Sequence, residues 1–445
     1  MKKVLVTGAA LLIAGSMVSA AGAEVNLSGD ARVRYVGTTD YDRYLKYDPA
    51  TGGTINEESN GYRDNFNSRI RVKLDAKAAG GAFMKVRMRF DDMTWDGQGW
   101  GAWKNGKNVW ADYAYIGVPM GPVTFTGGRM PDDFSKFFSW DNRPTRVKLD
   151  WKSGAVRVIG LVDVIDEFTN NVEDEWNDND FMAYGLVASF KINDDWSVKG
   201  YARYHDDQRD WNVAPYTLDP VHANDPRINN DPGAIQSTYH GLYEQVPQVG
   251  VRHKDRSGFL GSVHVQGKVA MVGLEGEIAY KEGDVQGTAD DGWGWYLKAS
   301  MDMGAFTPAA VIGMTTDGYQ ADDDFGFIMI GAAEPITVID RIGTGLGDSF
   351  FAALTANYAI SDRFKVAGNL VYYDIDLDED ESGQDVRGLA DAVEISGSAT
   401  YVISEGADLT YKLGLLSPSY DGRLNSVGIS DDAYFGHYLR MAIKF

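Results

Sequence analysis

The chain has no cysteine in its 445 residues. That absence excludes disulfides, a thiol nucleophile, thioether-linked haem and a lipid-modified cysteine. Beyond the N-terminal segment no stretch approaches the roughly 18 consecutive apolar residues that a spanning helix needs. Histidine is scarce, and His205, His222, His240, His253, His264 and His437 keep no spacing suited to a metal. Neither a G-x-S-x-G elbow nor an H-E-x-x-H helix occurs. No catalytic residue, metal ligand or cofactor is therefore assigned. Lys and Arg number 42 against 64 Asp and Glu, a net charge of −22, and so acidic an exterior disfavours nucleic acid as a partner.

Two segments imitate known loops without their chemistry. GAWKNGKN (101–108) has Asn108 where a phosphate-binding loop needs Ser or Thr for magnesium, and it joins two strands where such a loop opens a helix. DIDLDEDESGQD (374–385) offers Asp374, Asp376 and Asp378. Glu379, however, stands where a calcium loop turns on glycine, and Asp385 replaces the final glutamate. This segment and ADDDF (321–325) read as solvated acidic faces, with weak divalent-cation binding as the alternative. Exposed carboxylates of this kind lack the burial that makes a general acid.

Among the features present, the N-terminus comes first. MKKVLVTGAALLIAGSMVSAAGA pairs Lys2 and Lys3 with an apolar run from Val4 to Val18 and then small residues. This reads as a secretory signal peptide over 1–23, cleaved after Ala23 or Ala20. A membrane anchor is the weaker alternative, because Thr7, Gly8, Gly15 and Ser16 interrupt a short run. The remainder, 24–445, reads as one unit.

RIRVKLDAKAAGGAFMKVRMRF (69–90) shows how that unit is built. Arg69, Arg71 and Lys73 alternate with Ile70, Val72 and Leu74; Lys85, Arg87 and Arg89 alternate with Met84, Val86, Met88 and Phe90. Period two means two strands, joined at Gly80 and Gly81. In a soluble sandwich the apolar side would be the core; in a membrane barrel it would meet lipid and the cations would line a hole. About 18 such segments run from 25–36 to 433–445, with 16 as the alternative count. Most are about 10 to 13 residues long, where soluble strands centre on about 5 to 6 and a tilted membrane strand needs about 9 to 11.

The connections alternate. Tight turns at 78–81, 119–121, 153–154, 193–194, 304–305 and 361–362 are separated by long polar loops, among them 37–65, 93–108, 131–142, 166–179, 207–258, 317–347 and 374–390. Short turns on one rim and long loops on the other are the layout of a transmembrane barrel. Aromatic residues near strand ends, including Trp95, Trp151, Tyr201, Trp293, Tyr372, Tyr411 and Tyr434, read as interfacial girdles. The chain stops at YFGHYLRMAIKF, with Phe435, His437, Leu439, Met441, Ile443 and Phe445 on one face.

This ending, with the signal peptide, the missing cysteines and the alternating loops, resembles Gram-negative outer-membrane porins, general and substrate-specific. The resemblance implies an all-β fold: a single antiparallel transmembrane β-barrel with short periplasmic turns and long extracellular loops. It further implies an outer-membrane location, lipid around the barrel, Phe445 as the signal read by the barrel-assembly machinery, a homotrimer, and diffusion of small hydrophilic solutes. Two other readings are weighed: a surface adhesin or receptor with a plugged lumen, and an outer-membrane hydrolase.

Most acidic residues fall in the long loops, which leaves a basic wall. Arg32, Arg34, Arg69, Arg71, Lys73, Lys85, Arg87, Arg89, Arg146, Lys148, Lys199 and Arg203 all oppose the apolar register of their strands. A cation facing lipid at mid-depth costs about 2 to 4 kcal/mol, so these residues are assigned to the pore. The third long loop, 131–142, carries Asp132, Asp133, Phe134 and Asp141. Porins fold this loop into the lumen as a constriction, and the expectation here is Asp132 and Asp133 opposing the Arg71–Arg87 side. The other reading is that these acids salt-bridge to the wall and hold the loop. A mild anion preference at the neck is expected.

Overall fold

Alternation of this kind leaves a strand with one oily and one polar edge, and a sheet with two such faces must either pack or close. It closes. The computed structural model describes residues 24–39, 45–48, 53–56, 63–95, 109–166, 181–208, 256–286, 291–316, 319–331, 342–343, 347–377, 389–420 and 433–445. The signal segment 1–23, the phosphate-loop mimic 101–108 and most of 207–258 and 378–388 lie outside them.

Eighteen strands form one antiparallel sheet. The first six are β1 (Glu24–Thr38), β2 (Arg63–Lys77), β3 (Phe83–Thr94), β4 (Val109–Met120), β5 (Val123–Arg129) and β6 (Thr145–Ser153). Next come β7 (Val156–Asp166), β8 (Phe181–Lys191), β9 (Ser197–Asp207), β10 (Gly258–Val269), β11 (Val272–Lys281) and β12 (Gly292–Met301). The last are β13 (Phe306–Thr315), β14 (Gly347–Ala359), β15 (Phe364–Leu377), β16 (Leu389–Ser404), β17 (Ala407–Tyr420) and β18 (Tyr434–Lys444). Each pairs with its chain neighbours, and β18 pairs with β1 from Asp30↔Lys444 to Thr38↔Gly436, which shuts the barrel. A two-stranded ribbon (Leu45–Asp48 with Gly53–Asn56) and one helical turn (Gly283–Gln286) lie in the connections.

The seam is finished by the last residue. Gly29 and Phe445 exchange both backbone hydrogen bonds, at 2.8 and 3.1 Å. A Cβ on Gly29 would sit 2.6 Å from the Phe445 ring, so glycine makes room for the terminal aromatic. At the β10–β11 turn Ala270 holds a left-handed φ of 54°, a conformation that costs a residue with a Cβ about 1 kcal/mol.

Register decides which face is wet. Leu297, Leu354 and Ile395 are about 60% exposed on the outside, forming with their neighbours an apolar belt. The compact core lies inside the barrel. It is made by Phe134, Phe137 and Phe138 of the third loop, by Tyr319, Met329 and Ile330 of the seventh long loop (317–347, after the sixth at 282–291), and by wall residues from β7 onward, such as Tyr201, Tyr296, Phe351 and Tyr373. No residue of β1 to β6 belongs to it. Tyr201 and Tyr434, expected in the girdles, are buried inside instead. Tyr201 shares its parity with Lys199 and Arg203, which places it on the lumenal side.

Candidate functional site

The third loop leaves β5, turns back on itself and returns to β6 inside the barrel. Its stem is closed by Asp132 N–H to Asn142 O at 2.7 Å, and its tip by Ser139 N–H to Ser135 O at 3.0 Å. The stem is bolted to the wall by charge. Asp132 accepts from Arg146 Nη1 (2.9 Å), Ser139 Oγ (3.2 Å) and Tyr201 Oη (3.3 Å). Arg146 also forks onto Asp163, which pairs with Arg203 Nη2 at 2.7 Å. Two guanidiniums thus meet two carboxylates, and Asp163 is completely buried. Burial alone would raise the Asp132 pKa; the hydrogen bond and charge of Arg146, joined by Arg203, outweigh it and hold the carboxyl below its usual range.

The tip reaches a distant part of the wall. Ser135 Oγ donates to Glu277 Oε1 of β11 at 2.7 Å, and Ser262 of β10 donates to the same oxygen at 2.6 Å. Phe137 then stacks on Tyr319 of the seventh loop with centroids 5.1 Å apart, and meets Tyr296 and Phe325 edge-on. The two loops are hydrogen-bonded together: Tyr319 Oη donates to Phe137 O (2.9 Å), and Trp140 N–H to Asp322 (3.0 Å). The seventh loop is itself fixed to β16, where Glu394 accepts the Met329 and Ile330 N–H groups at 2.9 and 2.8 Å. This pair of loops fills the lumen against β7 to β17.

The opposite wall is left to the cations. In the β1–β2–β3 register Arg32 faces Arg69, Arg71 faces Arg89 and Lys73 faces Arg87. Like charges directly opposed destabilise a sheet, so this ladder has to be screened. Some relief is local: Arg71 pairs with Asp30 at 3.0 Å and Lys73 with Asp75 at 2.8 Å. Asp112 of β4, only 3% exposed, takes Arg87 (2.6 Å), Arg89 (3.0 Å) and Arg143 (3.0 Å) at once. Arg143 also pairs with Asp141 at the loop edge, and Arg87 Nη2 lies 3.8 Å from the same carboxylate. Arg87 further covers the Tyr113 ring at 4.6 Å.

The twelve cations expected in the pore therefore divide. Arg32, Arg34, Arg69, Arg71, Lys73, Lys85, Arg87 and Arg89 make one continuous face on three adjacent strands. Arg146 and Arg203 lie beneath the third loop as its anchors, while Lys148 and Lys199 line the space on the loop's other side. The acids divide as well. Asp132 is turned into the wall, Phe134 packs on Tyr201, and Asp133 and Asp141 stay exposed. Burial, with the charges of Asp141 and Asp132, pushes the Asp133 pKa up against the backbone hydrogen bond from Asp141. Asp112, Arg143, Asp163, Glu277 and the seventh loop were not read from sequence as parts of the site; the lumenal parity of Asp163 and Glu277 was the available signal.

No protein-family model matches this chain, and no curated protein matches it in sequence. Solved structures do match. OccK3 (OpdO) of Pseudomonas aeruginosa aligns with a TM-score of 0.56 at 10% identity, over 95% of this chain and 96% of that one. A BenF-like porin from Pseudomonas fluorescens Pf-5 gives 0.55 at 10%, over 95% and 98%. The outer membrane protein OprD from Pseudomonas aeruginosa gives 0.52 at 10%, over 94% of this chain and 94% of that one. The shared feature is the fold, a closed antiparallel barrel of 18 strands.

Proposed function

We propose that the chain is an outer-membrane porin, a diffusion channel for small hydrophilic solutes and ions, whose narrowest part lies between the β1–β3 ladder and the joined third and seventh loops. One observation carries this reading: a lumenal wall of directly opposed cations, to which the apolar cluster of the third and seventh loops contributes no packing among the described residues. Evolutionary cost argues the same way, since three like-charged cross-strand pairs weaken the sheet and an aqueous path for solutes gives them a use. A transverse field from the ladder to Asp133 and Asp141 orders water, favours polar solutes and penalises apolar ones. With more cations than acids at the neck among the described residues, the passage prefers anions mildly.

The plugged adhesin is less well supported, because among the described residues the packed cluster draws nothing from β1 to β6. Export by the 1–23 segment, assembly through Phe445 and a homotrimeric state complete the proposal; chemical cross-linking of the detergent-extracted protein tests the trimer. Liposome swelling tests the channel. Vesicles carrying the protein are expected to swell in small sugars and faster in small organic anions of equal size, whereas no swelling in any solute contradicts the proposal.

A further inference from the structure

Behind the third loop, on the side of the short turns, lies a cavity of about 1060 Å³. It is separate from the β1–β3 ladder: its walls come from β6 to β12 and its roof is the loop segment 131–134. Eight cations and five carboxylates line it. Part of that charge is spent locally, for Lys298 pairs with Glu275 at 3.0 Å, Lys191 with Asp194 at 2.7 Å, Arg157 with Asp150, and Arg146 with Asp132. Lys148, Lys152, Lys199 and Lys268 form no ion pair with a carboxylate among the described residues. Lys199 donates only to the Phe134 carbonyl, at 3.3 Å, while Lys152 and Lys268 are exposed near the turns that close β6–β7 and β10–β11. Four ammonium groups thus converge on one chamber from three strands.

The residue type sets the ligand. The ladder is built largely of arginine, whose planar fork reads a single carboxylate by geometry. The chamber is built of lysine, a compact point charge on a flexible stem that follows charge density with little regard for shape. We propose that this chamber is a binding site for compact polyvalent oxyanions, phosphate or carboxylate in type, that holds them on the short-turn side of the constriction. The inference rests on the channel reading above and adds to it a second anion station with its own chemistry. Monovalent anions gain too little from four separated charges to dwell there.

Single-channel recording tests the site, with pyrophosphate or citrate added to one side of a planar bilayer at a time. A single cysteine at Asp362→Cys, in an exposed short turn of this cysteine-free chain, reports orientation by thiol labelling. Both anions are expected to interrupt the current from the short-turn side at about one tenth of the concentration needed from the long-loop side. Lys152→Ala combined with Lys268→Ala is expected to abolish that asymmetry and keep the open-channel current. Equal block from both sides, persistence in the double variant, or block by one of the two anions alone would overturn the proposal. Calorimetry of the detergent-solubilised barrel with pyrophosphate reads binding without conductance. Binding lost in the double variant supports the site; wild-type protein that conducts but binds nothing refutes it; a barrel that binds yet never conducts refutes the channel alone.

Discussion

The two halves of the lumen solve opposite problems with the same strand alternation. From β7 to β17 many inward positions at the level of the loops are apolar, and Phe137, Tyr319, Phe325 and Phe351 complete a packed interior. Its central ionic group is the closed set Arg146–Asp132–Asp163–Arg203, while Glu277 and Glu394 are held by hydroxyl and backbone N–H donors. From β1 to β3 the inward positions set cation against cation across the strands, and Asp30, Asp75 and Asp112 pair with part of that row. One half is built like the inside of a soluble domain, and stability belongs there. The other half gives up sheet stability, and the proposed path for solutes runs there.

The sharpest way to break this contrast is Asp163→Ala. It leaves Arg146 and Arg203 buried beneath the loop with half their partners gone, and losing one member of such a set costs about 3 to 5 kcal/mol. A lower unfolding temperature in detergent and a larger, noisier conductance are expected as the third loop comes loose. Phe137→Ala removes the ring that joins the two loops and should cost about 3 kcal/mol, again measured by thermal unfolding, with sugar permeation in liposomes rising. Neither effect is expected from Arg71→Ala, which acts on the other half and should change ion preference while leaving stability nearly intact.

Acidification gives a smaller effect with a definite sign. Burial pushes the carboxyls of Asp133, Asp322 and Asp324 up, so they take up protons at a higher pH than ordinary exposed acids. A carboxyl raised by folding weakens the native state while ionised, and that penalty is relieved as pH falls through its folded pKa. Asp132 is depressed, so its contribution is present above its unfolded pKa and is lost only at lower pH, through its own folded value. Moderate acidification should therefore raise anion preference, read as a reversal potential, before the loop anchor weakens. The smallest effect is at the β10–β11 turn: Ala270→Gly relieves a left-handed φ and should add up to about 1 kcal/mol in a thermal scan.

Much of this architecture is legible in the residues themselves. Strict alternation in RIRVKLD and MKVRMRF fixes both the strands and the wet face, and the rhythm of short and long connections orders them into a barrel. The third loop is recognisable from its position and its Asp–Phe content, yet its partners are not. Asp132 meets Arg146 14 residues away, but Ser135 meets Glu277 142 residues away, and nothing local specifies that reach. Asp112 escapes for another reason. A bulge in the β3–β4 pairing lets both Asp112 and Tyr113 bury themselves, so simple parity fails at the one acid that gathers three arginines. The seventh loop is hidden likewise: its acids read as solvated, whereas Asp322 accepts the Trp140 N–H inside the barrel.

The most direct measurement is single-channel recording of the purified protein across a salt gradient, beside the Arg71→Ala, Arg87→Ala double variant. A steady conductance with an anion-signed reversal potential, moving toward zero in the variant, is the expected result. Silence in the bilayer, or a cation-signed potential that the double variant leaves unchanged, would contradict the proposal that the path runs along the opposed arginine wall.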